Sequence, residues 1–561
     1  MNQKTSTAGI FWGGLLLLVI YLLVQRNQVE MPTGVFFISI GLVVASLLYR
    51  ILALDLTPAF SGMVILEITV AAIAFHLIYQ LPAYGLYGTD AYFDLASLRA
   101  IMESGHIGGV GEYVQITTFF PVFHVLVSEL ALVTGIDYFT VAKWFPSVIG
   151  TFSIPVLYLM VRHFFKHERA ALLAALLYAS LQHYILFGSL FIREPLAVVF
   201  ALGCVYFYFS AGSSKNPVSY RLLSIFLLAV TVLAHHMTSV MLIAVLAIYW
   251  LFTLFARSSR DSSLPGTTEN ERLSFSFLII GAVGVAAYWI TTVVEPVQLL
   301  MRFMGDIFSP SLWGASTILG DEQAVIMSVP DLRYFFLIYG SYFCFGIFGL
   351  LLLHRSVFRR PETPLAMPAF TAYFALCGLI GVMSFFVLPA TIEGDRFLSF
   401  GWLFACGPLA LIIVQLRGRF TASLGISLVL VFLFINLFTI HPTVWNWKEE
   451  GAGGGAVRED YALATSVDFR HDAFLGYMNN IMAIYHQQNQ LGTQIHLLTG
   501  KPVWEIYDRL IINRESLTAG GLYTDELRML LLELKELDNN PGKGYHRIYE
   551  SPNISVLQQR L

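Results

Sequence analysis

Charge is scarce in this chain. Of its 561 residues only 12% are Asp, Glu, Lys or Arg, and 57% are hydrophobic. An ordinary soluble domain carries about twice that charged fraction. The deficit excludes a soluble enzyme and a disordered segment. No sign of charge dominates either: Lys and Arg number 33 against 37 acids, for a net charge of −4. That balance leaves no electrostatic footprint for a polyanion and excludes a nucleic-acid partner. Cysteine is nearly missing. Cys204, Cys344, Cys377 and Cys406 all fall in apolar stretches, which excludes a disulfide framework and a cysteine-rich metal site.

What is present is a series of apolar runs of about twenty residues, the length that crosses a ~30 Å hydrocarbon core. About thirteen can be marked between Ile10 and Ile440. The expected architecture is a polytopic α-helical membrane domain over residues 1–440. The first run lacks a cleavage pattern and is followed at once by further spans, so it reads as an anchor. The apolar stretch Leu222–Ala256 is broken only by His235, His236 and the polar residues after them. As one helix it would be roughly 52 Å long, so it reads as two helices turning at the histidines.

Phe119–Thr134 is apolar but short, and it carries His124 and Glu129. It either crosses the membrane or lies along it. The positive-inside rule decides. With this segment on the surface, one side of the membrane gathers Lys4, Arg50, Arg162, Lys166, Arg169, Lys215, Arg221, Arg257, Arg260, Arg272, Arg355, Arg359, Arg360, Arg417 and Arg419. The other side keeps Arg26, Arg99, Lys143, Arg193, Arg302, Arg333 and Arg396. The N-terminus is then cytoplasmic, and loops 81–142 and 294–331 lie outside with the tail.

The tail, residues 441–561, follows a flexible Gly451–Ala456 linker and reads as a small extracytoplasmic α/β domain. Ala473–Gln488 and Asp525–Leu537 have helical patterning. Gln494–Leu498, Arg547–Glu550 and Ile554–Gln558 read as strands, the last two joined through Ser551-Pro552-Asn553. It holds no catalytic constellation.

The polar residues that need a reason all fall at the outer boundary. Asp90, in Gly88-Thr89-Asp90-Ala91-Tyr92-Phe93-Asp94, is either a general base with a raised pKa or a solvated helix cap. Glu194, beside Arg193 and Pro195, is either a site acid or ordinary helix-start chemistry. His235 and His236 either form a polar turn or bind a metal or phosphate. Arg396, in Glu393-Gly394-Asp395-Arg396, and Lys143 suit a phosphate, or they snorkel at the interface. Acids and cations gathered at one depth suit a substrate with an interfacial phosphate and a lipid tail.

The order of these features resembles the GT-C fold glycosyltransferases, above all the protein O-mannosyltransferase and lipid A aminoarabinose transferase superfamily and its uncharacterised archaeal and bacterial branch. Those families have an early acid in the first outer loop, the place Asp90 takes. A Pro-led helix ending in Gly follows, as Phe120-Pro121-Val122-Phe123-His124 through Gly135 does here. A basic residue opens the next span (Lys143), the span closes in Tyr158-Leu159-Met160-Val161-Arg162, and a second acid precedes Pro-Leu (Glu194-Pro195-Leu196). The sequence departs from the pattern in having two extra leading helices, Lys143 where Arg is usual, Glu194 instead of Asp, and no His-Pro-Pro.

The resemblance implies sugar transfer from a polyprenyl- or dolichyl-phosphate donor, on the outer face, to a lipid, glycan or protein acceptor, with inversion. Asp90 would be the base, Asp94 and Glu194 would orient the acceptor, and Asp90 with Glu194 could hold a divalent metal. Arg396, Lys143, Arg193, His235 and His236 would receive the leaving phosphate. The competing function is a lipid-linked glycan flippase that makes no glycosidic bond.

Overall fold

The computed structural model describes residues 3–27, 29, 31–82, 86, 89–107, 119–258, 273–292, 364–386, 394–416 and 419–440, and four strand segments in the tail. The helices, in chain order, are α1 (Gln3–Arg26), α2 (Thr33–Ala53), α3 (Pro58–Gln80), α4 (Thr89–Ser104), α5 (Val122–Thr134), α6 (Tyr138–Ile149) and α7 (Ser153–Phe165). They continue with α8 (Glu168–Ala179), α9 (Gln182–Ser189), α10 (Glu194–Ser210), α11 (Pro217–Ala234), α12 (His236–Ser258), α13 (Phe275–Thr292), α14 (Ala366–Phe386), α15 (Gly394–Gln415) and α16 (Arg419–Thr439).

Eight spans among the described residues are long and apolar enough to cross a membrane, or nine with one bent pair counted as a single span. Four shorter apolar helices accompany them. Of the thirteen expected runs, Arg333–Leu353 lies outside the described residues, as does the loop 294–331.

The core is centred on α8, in which every residue from Ala170 to Ala179 is buried. Its alanines leave room for neighbouring backbones to approach, the usual solution where lipid supplies no hydrophobic drive between helices. Helices α2, α3, α7 and α15 all pack against it. The leading helices α1 and α2 pack on each other and join this bundle. Arg50 of α2 and Glu67 of α3, both buried, form an ion pair between them.

The apolar run Ala170–Phe187, one of the thirteen expected spans, is not a single straight helix. Helices α8 and α9 are bent by 62° at Ser180-Leu181. Leu181 leaves the helical region (φ −67°, ψ 126°). The buried N–H of Gln182, left without an intrahelical acceptor, then donates to Asn436 Oδ1 of α16 at 3.1 Å. A partner distant in sequence supplies the missing acceptor, so neither glycine nor proline is needed at the break.

Helix α5 has 13 residues, about 20 Å at 1.5 Å per residue, too short for a full crossing. Phe123, His124 and Val127 are buried, while Leu126, Leu132 and Val133 are exposed. One face packs inward and the other presents apolar surface, as a helix lying along a membrane does.

In the tail, β1 (Asp472–Leu475), β2 (Arg509–Asn513), β3 (Tyr545–Glu550) and β4 (Ile554–Gln559) form one sheet in the order β1-β2-β4-β3. The β3–β4 antiparallel pair matches the strands read from sequence. Two corrections stand beside it. Residues 473–475, expected at the start of the helix Ala473–Gln488, belong with Asp472 to a strand paired in parallel with β2, and β2 has no counterpart among the strands expected from sequence. Short apolar runs are ambiguous until a partner strand is found. Gln494–Leu498 and Asp525–Leu537 lie outside the described residues.

Candidate active site at one end of the bundle

Helix α4 brings the first acids. Asp90 stands in its first turn and Asp94 one turn later, so the two positions share a helix face. The side chain of Asp90 lies outside the described residues. Asp94 is buried, and its Oδ1 accepts from His124 Nε2 on α5 at 3.0 Å and forms an ion pair with Arg193, whose Nε lies 3.3 Å away. Two partners from separate segments thus fix the orientation of this carboxylate. The Arg193 guanidinium also lies 5.6 Å from the centroid of the Phe120 ring.

Arg193 is the N-cap of α10, and Glu194 is its first residue, followed by Pro195. The helix start is ordinary, since proline tolerates the first turn and the acid complements the dipole. It also points the two adjacent charges at different partners. Arg193 meets Asp94, while Glu194 Oε2 lies 3.6 Å from Arg396 Nη1 at the start of α15. The Arg396 guanidinium stacks over Phe187 of α9 at 5.0 Å. The bend after α8 is what sets α9, and with it Phe187, under Arg396. Glu194 also lines a small cavity with His183, Tyr178 and Tyr184.

The histidine pair closes the group. His235 is the extended residue between α11 and α12 (φ −159°, ψ 128°). Its Nδ1 faces Thr238 Oγ1 at 2.9 Å and accepts from Thr238 N–H at 3.4 Å, which places its proton on Nε2. Burial first, then the charges of His236, Arg193 and Arg396, hold its pKa well below the usual value. It is therefore a neutral donor beside two arginines. The His236 ring lies 5.4 Å from Phe120 and 6.4 Å from Trp289 of α13. Its Nδ1 and the Trp289 Nε1 are buried without a hydrogen-bond partner among the described residues.

Of the residues singled out from sequence, Asp94, Arg193, Glu194, Arg396, His235 and His236 are brought to one end of the bundle from four separate stretches of chain. Lys143 is buried on α6, 5.6 Å from the Trp144 ring centroid. For a metal, no group of three His, Cys, Asp or Glu side chains converges among the described residues. Glu194 faces Arg396, and the side chain of Asp90, the other residue of the expected metal pair, lies outside the described residues.

Three residues of the group were not singled out from sequence: His124, Phe187 and Trp289. His124 carried a signal, since it is a lone histidine on the inward face of an apolar helix. Phe187 and Trp289 look like any lipid-facing aromatic until the arginines and histidines beside them are seen.

Residues 121–267, less than half of the chain, match the family described as dolichyl-phosphate-mannose-protein mannosyltransferase. The oligosaccharyltransferase of Archaeoglobus fulgidus, solved with a tethered acceptor peptide containing the NVT sequon, superposes with a TM-score of 0.50 at 12% identity. It covers 89% of this chain and 74% of its own. The chain has a GT-C fold. ArnT from Cupriavidus metallidurans, bound to undecaprenyl phosphate, aligns at 10% identity with a TM-score of 0.48, over 89% of this chain and 98% of its own. No curated protein matches the chain. In the frame of this GT-C fold, the family match runs from the start of α5 to beyond the end of α12. It therefore includes His124, Arg193, Glu194 and both histidines.

Proposed function

We propose that the protein is a glycosyltransferase that moves a sugar from a polyprenyl-phosphate-linked donor to an acceptor at the outer membrane face. The observation that carries this reading is the convergence of Asp94, Arg193, Glu194, Arg396 and His235 at one end of an apolar bundle. A lipid-phosphate donor needs such a place, where its isoprenoid stays in the bilayer and its phosphate meets fixed cations. The GT-C fold and the mannosyltransferase match point the same way.

In this reading the leaving phosphate gathers negative charge as the glycosidic bond to it breaks. Arg193 and Arg396 meet that charge with preorganised guanidinium forks, and His235 adds an Nε2–H. Asp94 and Glu194 hold the two forks apart and in place, since each carboxylate is aimed at one arginine. Asp90, one turn before Asp94 on the same face of α4, takes the acceptor proton as the hydroxyl attacks the anomeric carbon from the opposite side, inverting it. Phe120, His236 and Trp289 offer ring faces and N–H groups to the sugar.

The test is transfer of radiolabelled sugar from dolichyl-phosphate-mannose and from other polyprenyl-phosphate sugars in membranes that contain the protein. Asp90→Asn is expected to fold and to lose at least about 100-fold in rate, the scale of a general base. Full activity in that variant removes Asp90 from the mechanism. The alternative function, a lipid-linked glycan flippase, has the α8–α9 bend on its side, because broken helices recur in transporters. Movement of a labelled lipid-linked sugar across proteoliposomes with no glycosidic product would select it.

A further inference from the structure

A second cavity lies at the other end of the bundle, about 770 Å3 in volume, where α2 ends, α7 turns into α8 and α15 meets α16. Arg396 opens α15, and Ile413–Leu416, on the cavity wall, close it. Helical rise puts the two ends roughly 25–30 Å apart, so this cavity is separate from the site above.

Its walls differ in chemistry. One is apolar, with Ile413, Leu416 and Ile426; the other is ionic, with Lys166, His167 and Arg169 among its residues. Lys166 sits in the left-handed region (φ 51°) with an exposed side chain. Arg169 is spent on main-chain carbonyls, donating to Leu52 O at 2.6 Å and Leu54 O at 3.0 Å. It is thus a fixed positive charge that cannot swing away. His167 Nδ1 accepts from Ala170 N–H at 3.3 Å, which leaves its proton on Nε2.

Of the two acids that line the cavity, Asp55 and Glu168, the second is compensated. Glu168 is held by Arg162 at 3.0 Å and by the Tyr158 hydroxyl. The Lys4 ammonium donates to the main-chain carbonyl of Asp55 at 3.1 Å. With Glu168 taken up by Arg162, Lys166 and Arg169 stand against Asp55 alone on the ionic wall, opposite branched aliphatic side chains, an arrangement that suits an amphiphilic anion at a membrane boundary.

We propose that this cavity holds the phosphate-bearing headgroup of an anionic phospholipid, with the phosphate at Lys166 and His167 and the acyl chains along Ile413, Leu416 and Ile426. Water alone would leave the aliphatic wall wetted, and a free phosphate would leave it uncovered. The lipid satisfies both walls, and it braces the junction of α2, α8 and α15 that supports the core helix α8.

The test uses the full chain, delipidated in detergent and supplied with micelles containing phosphatidylglycerol, phosphatidylcholine, or phosphatidylcholine plus inorganic phosphate. Thermal unfolding is followed, and retained lipid is counted by native mass spectrometry. Phosphatidylglycerol is expected to raise the midpoint by at least about 3 °C over phosphatidylcholine and to remain bound. Lys166→Asn keeps a residue type that tolerates the left-handed backbone and removes the ammonium; Ile426→Trp fills the cavity. Each should abolish the difference between the two lipids while leaving the midpoint in phosphatidylcholine close to that of the wild type. Equal midpoints in the two lipids, an undiminished difference in both variants, or a full shift from inorganic phosphate alone would overturn the proposal.

Discussion

His124 is the residue whose removal says most about how the site is held. It is fully buried and donates to Asp94, which otherwise meets only Arg193 among the contacts described. His124→Ala leaves a buried carboxylate with one partner fewer. The expected cost is about 1–3 kcal/mol, read as a lower unfolding midpoint in detergent, with transfer reduced as Asp94 and Arg193 lose their register. His235 gives a pH dependence. Its folded pKa lies below the unfolded value of about 6.5, so the unfolded chain binds the proton more tightly. The stability associated with the neutral ring is present above about pH 6.5 and is lost as pH falls toward the folded pKa. Unfolding midpoints measured between pH 8 and pH 5 should therefore fall on the acid side. His235→Gln, which cannot titrate, should flatten that fall; an identical slope in both proteins would exclude the histidine as its source. Arg396 and Glu194 could be suspected in the sequence because each interrupts apolar context at a helix start. Their pairing could not, since about two hundred residues of chain separate them.

At the scale of elements, the bend between α8 and α9 is the feature that aims the site. Gly188 permits it to pack: a Cβ there would lie 2.4 Å from the His76 ring of α3. Around this contact Ser189 Oγ donates to His76 O at 2.7 Å, and Gln80 Nε2 donates to Ser189 O at 2.6 Å. Gly188→Ala must push α9 away from α3, shifting Phe187 and so Arg396. A loss of about 1–3 kcal/mol is expected, against almost none for Gly34→Ala, where nothing stands within 4 Å. Combining Gly188→Ala with His76→Ala should restore part of the loss, and a double variant that is simply additive would place the strain elsewhere. Asn436→Ala removes the acceptor that caps Gln182 N–H and is expected to cost about 1 kcal/mol. The break was invisible in Ala170–Phe187 because its sequence is uniformly compatible with a helix. The turn at His235 was visible because thirty-five apolar residues cannot be one crossing.

Across the whole molecule, the two leading helices join the bundle through a charge as well as through packing. The pair Arg50–Glu67 lies wholly out of water, and Arg50 Nε and Nη2 find no hydrogen-bond partner among the described residues. Breaking such a pair from one side strands a buried charge, so Arg50→Met is expected to cost about 3–5 kcal/mol, whereas Arg50→Met with Glu67→Leu should recover most of it. Comparison of the three unfolding midpoints checks this. If the single and double variants are equally unstable, the pair contributes through shape and not through charge.

The sequence alone determined that the chain lives in a membrane, where its apolar runs fall, and that one boundary collects acids, arginines and histidines. These follow from hydropathy and length, which are local sums over neighbouring residues. It also determined the turn at the histidine pair and the tail hairpin, because their signals lie within a few residues of one another. Only the tertiary structure decided that Arg193 faces Asp94 while its neighbour Glu194 faces Arg396, that His124 belongs to the group, and that α8 breaks where Asn436 can cap it. Each of these is a contact between segments far apart in the chain. Its energy depends on distance in space and on exclusion of water, and neither quantity is written in the order of the residues.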